Sequence, residues 1–187
     1  LKGGSITAKG NTDLVIMNYL SNKEKNSSYS FVKKLENINN KRTWLNEIKV
    51  IINGRSSGTM RYGDNLSIDC KFISQVGVTK PSIGLVITSI KGEKILNSNN
   101  QYLPSQEFYK PENKGKIRIG LGELPLMEGK YRISIWFAEN EKSPHDYFEN
   151  IVSFDVIARE KWGLGKLPTK NISNIWWPST FKMIKDE

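Results

Sequence analysis

Lys130-Tyr131-Arg132-Ile133-Ser134-Ile135-Trp136-Phe137-Ala138 is the stretch that decides the fold. Tyr131, Ile133, Ile135 and Phe137 alternate with Arg132, Ser134 and Trp136. Side chains of a β-strand leave the backbone on opposite faces in turn, so this period of two predicts a strand with one face in a core. The same alternation recurs on both sides. Upstream it runs through Ile48, Val50 and Ile52, then Leu66, Ile68, Cys70 and Phe72, then Ile117, Ile119 and Leu121. Downstream it runs through Val152, Phe154 and Val156. Ser82 to Ile90 is a more continuous apolar run. Asn53 to Gly58 reads as a loop, and Tyr62-Gly63-Asp64 and Lys91-Gly92-Glu93 read as turns. Seven or eight short strands without crossover helices predict an antiparallel sandwich, not a parallel sheet. The expected core includes Leu66, Ile68, Phe72, Ile119, Tyr131, Ile133, Ile135, Phe154 and Val156.

Around this sandwich, residues 43–158, three other regions differ in character. Residues 1–20 read as a strand, a turn and a short helix capped by Thr12 or Asp13, too small to bury itself, which should belong to a preceding domain or pack on this one. The chain opens without Met and without a hydrophobic leader, which reads as a piece of a longer protein. Residues 21–42 are rich in Asn, Ser and Lys and read as a linker. Phe31, Val32, Leu35 and Ile38 fall at near-helical spacing and predict a short docked helix. Residues 159–187 hold three of the five tryptophans, Trp162, Trp176 and Trp177. Such a segment should pack on the sandwich, a second copy or a ligand.

Composition bounds the function. A hydrophobic share of 37% supports a core and argues against wholesale disorder. No run reaches the roughly 18 apolar residues of a membrane span. The one cysteine, Cys70, alternates with core residues and permits no internal disulfide, which suits the cytoplasm. A net charge of +9 permits anionic partners without choosing among them. No Walker-type phosphate loop occurs, and Gly163-Leu164-Gly165 reads as a turn. The only histidine, His145, stands beside Asp146 in a polar loop without a nucleophile elbow. One His and one core Cys give little for a metal. A spatially assembled carboxylate pair stays open, because glycoside hydrolysis sets such pairs by distance in space and not by spacing. The expectation is a domain with no catalytic residues, no cofactor and no metal.

Several motifs are more specific. Leu124-Pro125-Leu126-Met127-Glu128-Gly129-Lys130-Tyr131-Arg132-Ile133-Ser134 resembles a segment of the C-terminal domain of Wzt-like O-antigen export ATP-binding proteins. So do Tyr62-Gly63-Asp64-Asn65-Leu66-Ser67-Ile68, Gly84-Leu85-Val86-Ile87 with Lys91-Gly92-Glu93-Lys94-Ile95, and Asp146-Tyr147 with Ser153-Phe154-Asp155-Val156. Gly4-Ser5-Ile6 with Gly10, and Val15-Ile16 with Tyr19, look like the end of the nucleotide-binding domain in the same transporters. The resemblance implies an Ig-like or jelly-roll-like β-sandwich that binds the exported polysaccharide. It also implies a homodimer in the cytoplasm, joined through the full-length ATPase subunit to a membrane-spanning subunit.

A glycan site needs a flat apolar ring for the sugar face and fixed donors and acceptors for its hydroxyls. Trp136, Arg132 and Ser134 project away from the core side of their strand and meet that need. Arg118, Asp69 and Lys71 project outward from theirs. The expected glycan-binding set is therefore Trp136, Arg132, Ser134, Arg118, Asp69 and Lys71. An outward Trp136 equally suits a subunit contact. Two rival functions remain: a carbohydrate-binding appendage of a glycan-modifying enzyme, and a basic nucleic-acid binder. The first is opposed by the ATPase-like N-terminus. The second is opposed by scattered basic residues and the lack of a recognition helix, so no nucleic acid is expected.

Overall fold

The computed structural model describes residues 29–32, 43–104, 110–139, 146–160, 165, 167 and 172–184. Its strands are β1 (Ser30–Val32), β2 (Thr43–Ile52), β3 (Arg55–Ser56), β4 (Thr59–Arg61), β5 (Asn65–Val78), β6 (Ser82–Ser89), β7 (Lys94–Asn99), β8 (Glu112–Glu123), β9 (Gly129–Ala138) and β10 (Asp146–Ile157). They form two sheets. The first runs β1-β2-β5-β8, with β3 also on β2, and the second runs β4-β10-β9-β6-β7. Every pairing is antiparallel except β4 with β10.

The two sheets close on one core, as the alternation predicts. Leu66, Ile68, Phe72, Tyr131, Ile133, Ile135, Phe154 and Val156 are buried. Ile119 is only half-buried but packs against the same cluster, because β8 ends its sheet and has a neighbour on one side alone. Phe72 from the first sheet and Phe137 from the second stack with ring centres 5.8 Å apart. Cys70 is fully buried, and burial, with the nearby Asp69 charge, pushes its thiol up to about 12. It is therefore an inert core residue.

Turn chemistry explains the connections. Asn53 and Gly54 both have positive φ, 49° and 79°. That is the pattern of the two-residue hairpin turn whose twist matches its strands, and it joins β2 to β3. The Asn53 side chain donates to Asp64 at 2.9 Å and accepts from the Asn65 backbone N–H at 2.9 Å. It thereby ties this hairpin to the turn at Tyr62-Gly63-Asp64. The entry to β9 is held differently. The Tyr131 hydroxyl donates back to the Met127 carbonyl at 2.8 Å. This is the tyrosine corner of Ig-like sandwiches, which fixes the crossing of one sheet edge to the next strand.

The helix over Phe31 to Ile38 does not hold at its start. Phe31 and Val32 lie in β1, paired with Ile48 and Glu47 of β2, and the Phe31 ring meets Phe148 of the other sheet at 5.7 Å. An available sheet edge and an aromatic partner outweigh local spacing. Leu35, Ile38 and the helical extension in residues 1–20 lie outside the described residues.

Among the described residues the C-terminal tail meets the sandwich at Tyr62, through Arg159, and again around Leu126. Leu126 and Ile175 form an isolated antiparallel bridge. The Met127 N–H donates to the Asn174 carbonyl at 2.9 Å, and the Trp176 N–H donates to the Pro125 carbonyl at 2.8 Å. Asn174 also donates to Glu93 at 2.7 Å. Beyond this clasp, Trp177 is 72% exposed and Phe181 94% exposed.

Candidate functional site

Sheet two presents an outer face built around β9. Trp136 lies between two register partners, Gly84 of β6 and Tyr147 of β10. Gly84 has no side chain to hold the indole away. A Cβ placed there would sit 2.3 Å from the indole nitrogen, so the ring lies close against the β6 backbone. Trp136 is half-buried, and Tyr147 beside it is 61% exposed. Arg132 lies four residues before Trp136 on the same face, between Thr88 of β6 and Ser153 of β10. The arrangement combines aromatic surface with a cation at one end.

Ser134 belongs to this face but not to its surface. It is only 4% exposed. The pairing of β9 with β10 shifts register between Phe148 and Val152, and Asn150 within that bulge has φ of 49°. The bulge brings the Asn150 backbone N–H to the Ser134 hydroxyl oxygen at 2.9 Å, and Thr88 reaches Asn150 Oδ1 at 3.4 Å. Ser134 is thus a support beneath the face and is withdrawn from the surface set of site residues.

Arg118, Asp69 and Lys71 are elsewhere. They lie on β8 and β5, in the other sheet, with Asp69 directly opposite Arg118. Their side chains point away from the core, so they occupy the opposite outer face of the sandwich from Trp136. The six expected residues therefore cannot line one site. Alternation distinguishes inward from outward, but it does not say to which sheet a strand belongs.

That opposite face is an ion lattice. Arg118 donates from Nε and Nη2 to the two oxygens of Asp69 at 2.6 and 2.8 Å. Lys116 adds a contact at 2.7 Å. Glu47 holds Lys49 at 2.9 Å and Lys71 at 3.2 Å. The Arg118 guanidinium, chiefly, holds the Asp69 carboxyl below its ordinary range, with burial opposing and Lys116 assisting. Lys49, first among its causes, does the same for Glu47. With its oxygens committed to two cations, Asp69 is a poor acceptor for sugar hydroxyls.

A cleft of about 550 Å³ opens at the sandwich edge between β8 and the β6–β7 side, lined by Pro81, Ile83, Ser98, Asn100, Leu103, Pro104 and the Lys116–Gly120 stretch. Three of its polar side chains, those of Asn100, Lys116 and Arg118, are already engaged. Asn100 accepts from the Ile83 N–H at 2.9 Å and donates to the Pro81 carbonyl at 2.8 Å. Lys116 and Arg118 serve Asp69. Among the described residues no aromatic ring lines it. Among the described residues no cluster of His, Cys, Asp and Glu could hold a metal ion, and no helix is long and apolar enough to cross a membrane. His145 lies outside the described residues. Sequence reading missed Gly84, Tyr147 and Asn150. For Gly84 a signal existed: a glycine inside the apolar run of β6 marks close approach by another group.

The fold is a two-sheet β-sandwich whose second sheet carries an aromatic outer surface. The model of the Wzt C-terminal domain matches residues 38–167, and the chain belongs to that family. The family provides O-antigen transporters with a non-catalytic, carbohydrate-binding domain. Among solved structures, the crystal structure of the C-terminal domain of Wzt is similar at a TM-score of 0.57 and 12% identity, covering 86% of this chain and 90% of that one. A CARDB domain from Pyrococcus furiosus in complex with di-metal ions matches at a TM-score of 0.38 and 18% identity, covering 69% and 99%. A β-glucosidase from Listeria innocua in complex with gluconolactone matches at 0.38 and 9%, covering 72% and 20%. At those two scores the likeness bears on nothing further. The comparison with curated proteins found no match.

Proposed function

We propose that the outer face of β6, β9 and β10 binds the polysaccharide exported by an ABC transporter, as the recognition domain of its ATPase subunit. The observation that carries this reading is the Trp136 indole laid over Gly84 beside the exposed Tyr147. A ring held close to a sheet, with its partners in register, gives a pyranose a surface to stack on. Arg132 donates to hydroxyls, or to a phosphate or carboxylate where the glycan carries one. Arg118, Asp69 and Lys71 are left out of this site. The domain works at the cytoplasmic face of the membrane, coupled through the full-length ATPase to the membrane-spanning subunit. It needs no cofactor and no nucleic acid. It acts as a homodimer, with the exposed Trp177 and Phe181 of the tail in the contact, because interface cores favour aromatic anchors.

The test is titration with the delipidated surface polysaccharide of the source organism across salt, beside single-stranded DNA. Glycan binding should depend little on salt if the glycan is neutral, whereas DNA binding falls steeply. Trp136→Ala should lower glycan affinity about threefold to tenfold without a matching loss of melting temperature. Unchanged affinity removes Trp136 from the site, and a collapse in stability reassigns it to packing.

A further inference from the structure

Gly84 sits in the interior of β6, where a glycine is a poor choice. It weakens a strand through backbone entropy and contributes no packing. Its backbone does not demand it either. The glycines with positive φ are others, such as Gly54, Gly63 and Gly92, and Gly84 pairs regularly with Asn99 on one side and Trp136 on the other. Ile83 and Leu85 flank it and point into the core, so Gly84 faces outward, on the side of the indole. What the position does demand is space. A Cβ there would lie 2.3, 2.5 and 2.7 Å from Nε1, Cε2 and Cζ2 of Trp136. Those are atoms of one rigid fused ring, so no rotation of a flexible end relieves the overlap. The ring as a whole would have to lift or turn.

We infer that Gly84 is the positioning residue of the aromatic face: its absent side chain is the recess that seats the Trp136 indole against β6. This rests on the glycan-binding reading above and deepens it. A ring seated in this recess lies close against the β6 backbone. A side chain at 84 would displace it from that position and so change how it meets a sugar. Stacking on a pyranose requires the face. Gly84 touches no glycan; it acts through Trp136.

Three variants and their combinations test this: Gly84→Ala, Trp136→Ala and Trp136→Phe, each titrated with the same delipidated polysaccharide and melted in parallel. In the wild-type background Gly84→Ala should lower affinity about threefold to tenfold, as far as Trp136→Ala does. In the Trp136→Ala background it should change affinity not at all, because no ring is left to move. A double-mutant cycle thus reads the coupling directly. Phe is shorter than Trp and does not need the recess, so Gly84→Ala should also be silent beside Trp136→Phe. If Gly84→Ala alone fails to fold, the Gly84→Ala/Trp136→Phe pair should restore folding. Failure of that pair shows that β6 itself needs glycine and overturns the inference. Equal losses in all backgrounds overturn it too, as does an effect on melting temperature with affinity unchanged. A wild-type domain that binds no polysaccharide refutes the functional reading instead, and the melting data then judge the recess alone.

Discussion

Tyr131→Phe isolates one hydroxyl at the corner where β9 begins. The ring can stay where it is, stacked on Phe154 with centres 5.7 Å apart. What goes is a donor that lies 2.8 Å from the Met127 carbonyl and 3.3 Å from the Asn174 carbonyl of the tail. The hydroxyl carries one proton, so one full hydrogen bond is at stake and not two. A buried neutral hydrogen bond is worth about 1 kcal/mol net, which in a chain of this size is about 2–4 °C of melting temperature. The alkaline limb adds a second readout. Burial first, and then the charges of Tyr62 and Glu93, push the Tyr131 phenol up to about 12 from an ordinary 10.0. The unfolded phenol loses its proton sooner, so between those values the unfolded state binds fewer protons and stability falls as pH rises. The contribution is complete below about pH 10 and gone above about pH 12. Phe has no such proton, so the variant should lose stability less steeply over that window, while the further slope from Tyr62, whose phenol burial also pushes up, remains in both proteins. Urea denaturation from neutral to alkaline pH measures both effects. A variant as stable as wild type at pH 7 with the same alkaline slope would show that the corner hydroxyl holds nothing.

Acid should act on the other sheet. Asp69 and Glu47 have folded values depressed below 3.8 and 4.5. Their stabilisation is therefore full above those ordinary values and is lost as pH falls through the lower folded ones. Asp69→Asn should flatten that acid limb in urea midpoints taken down the pH scale, and an identical limb in the variant sinks the assignment. The same variant should bind polysaccharide as wild type does, because Asp69 faces away from Trp136; a loss of affinity would return the ion lattice to the site. Ending the chain after Trp176 keeps the clasp to Pro125 and Met127 and removes Trp177 and Phe181. Light scattering should then find a monomer with an unchanged melting temperature, and a persistent dimer would count against the tail as the contact.

The sandwich was legible because the signal that builds it is local. In β9 every second residue is apolar, and that alone dictates which side is buried. The candidate face was half legible for the same reason. Trp136 and Arg132 follow from the β9 pleat, but Arg118 and Asp69 obey the same pleat in a different sheet, and sheet membership is decided by pairings distant in sequence. Ser134 reads as outward and is outward, yet the bulge at Asn150 covers it. Nothing in the β9 sequence carries that information, since the extra residue belongs to β10. Asn53-Gly54 is the contrary case. Its two residues are the strongest short hairpin signal, and reading them only as the start of a loop missed β3.

The parallel pairing of β4 with β10 has a consequence for how the chain comes into being. Asp155, Val156 and Ile157 pair with Thr59, Met60 and Arg61, while the other edge of β10 pairs with β9. The last strand is thus inserted between an early one and its own predecessor. Met60 is fully buried and has no sheet neighbour until β10 arrives. On a ribosome, the second sheet stays open until Ile157 has emerged, and β9 waits without its second neighbour. Closure of so distant a loop is paid in chain entropy before any contact rewards it, which places this domain among the slow folders. During that interval the nascent chain is the species most exposed to aggregation and to chaperone capture.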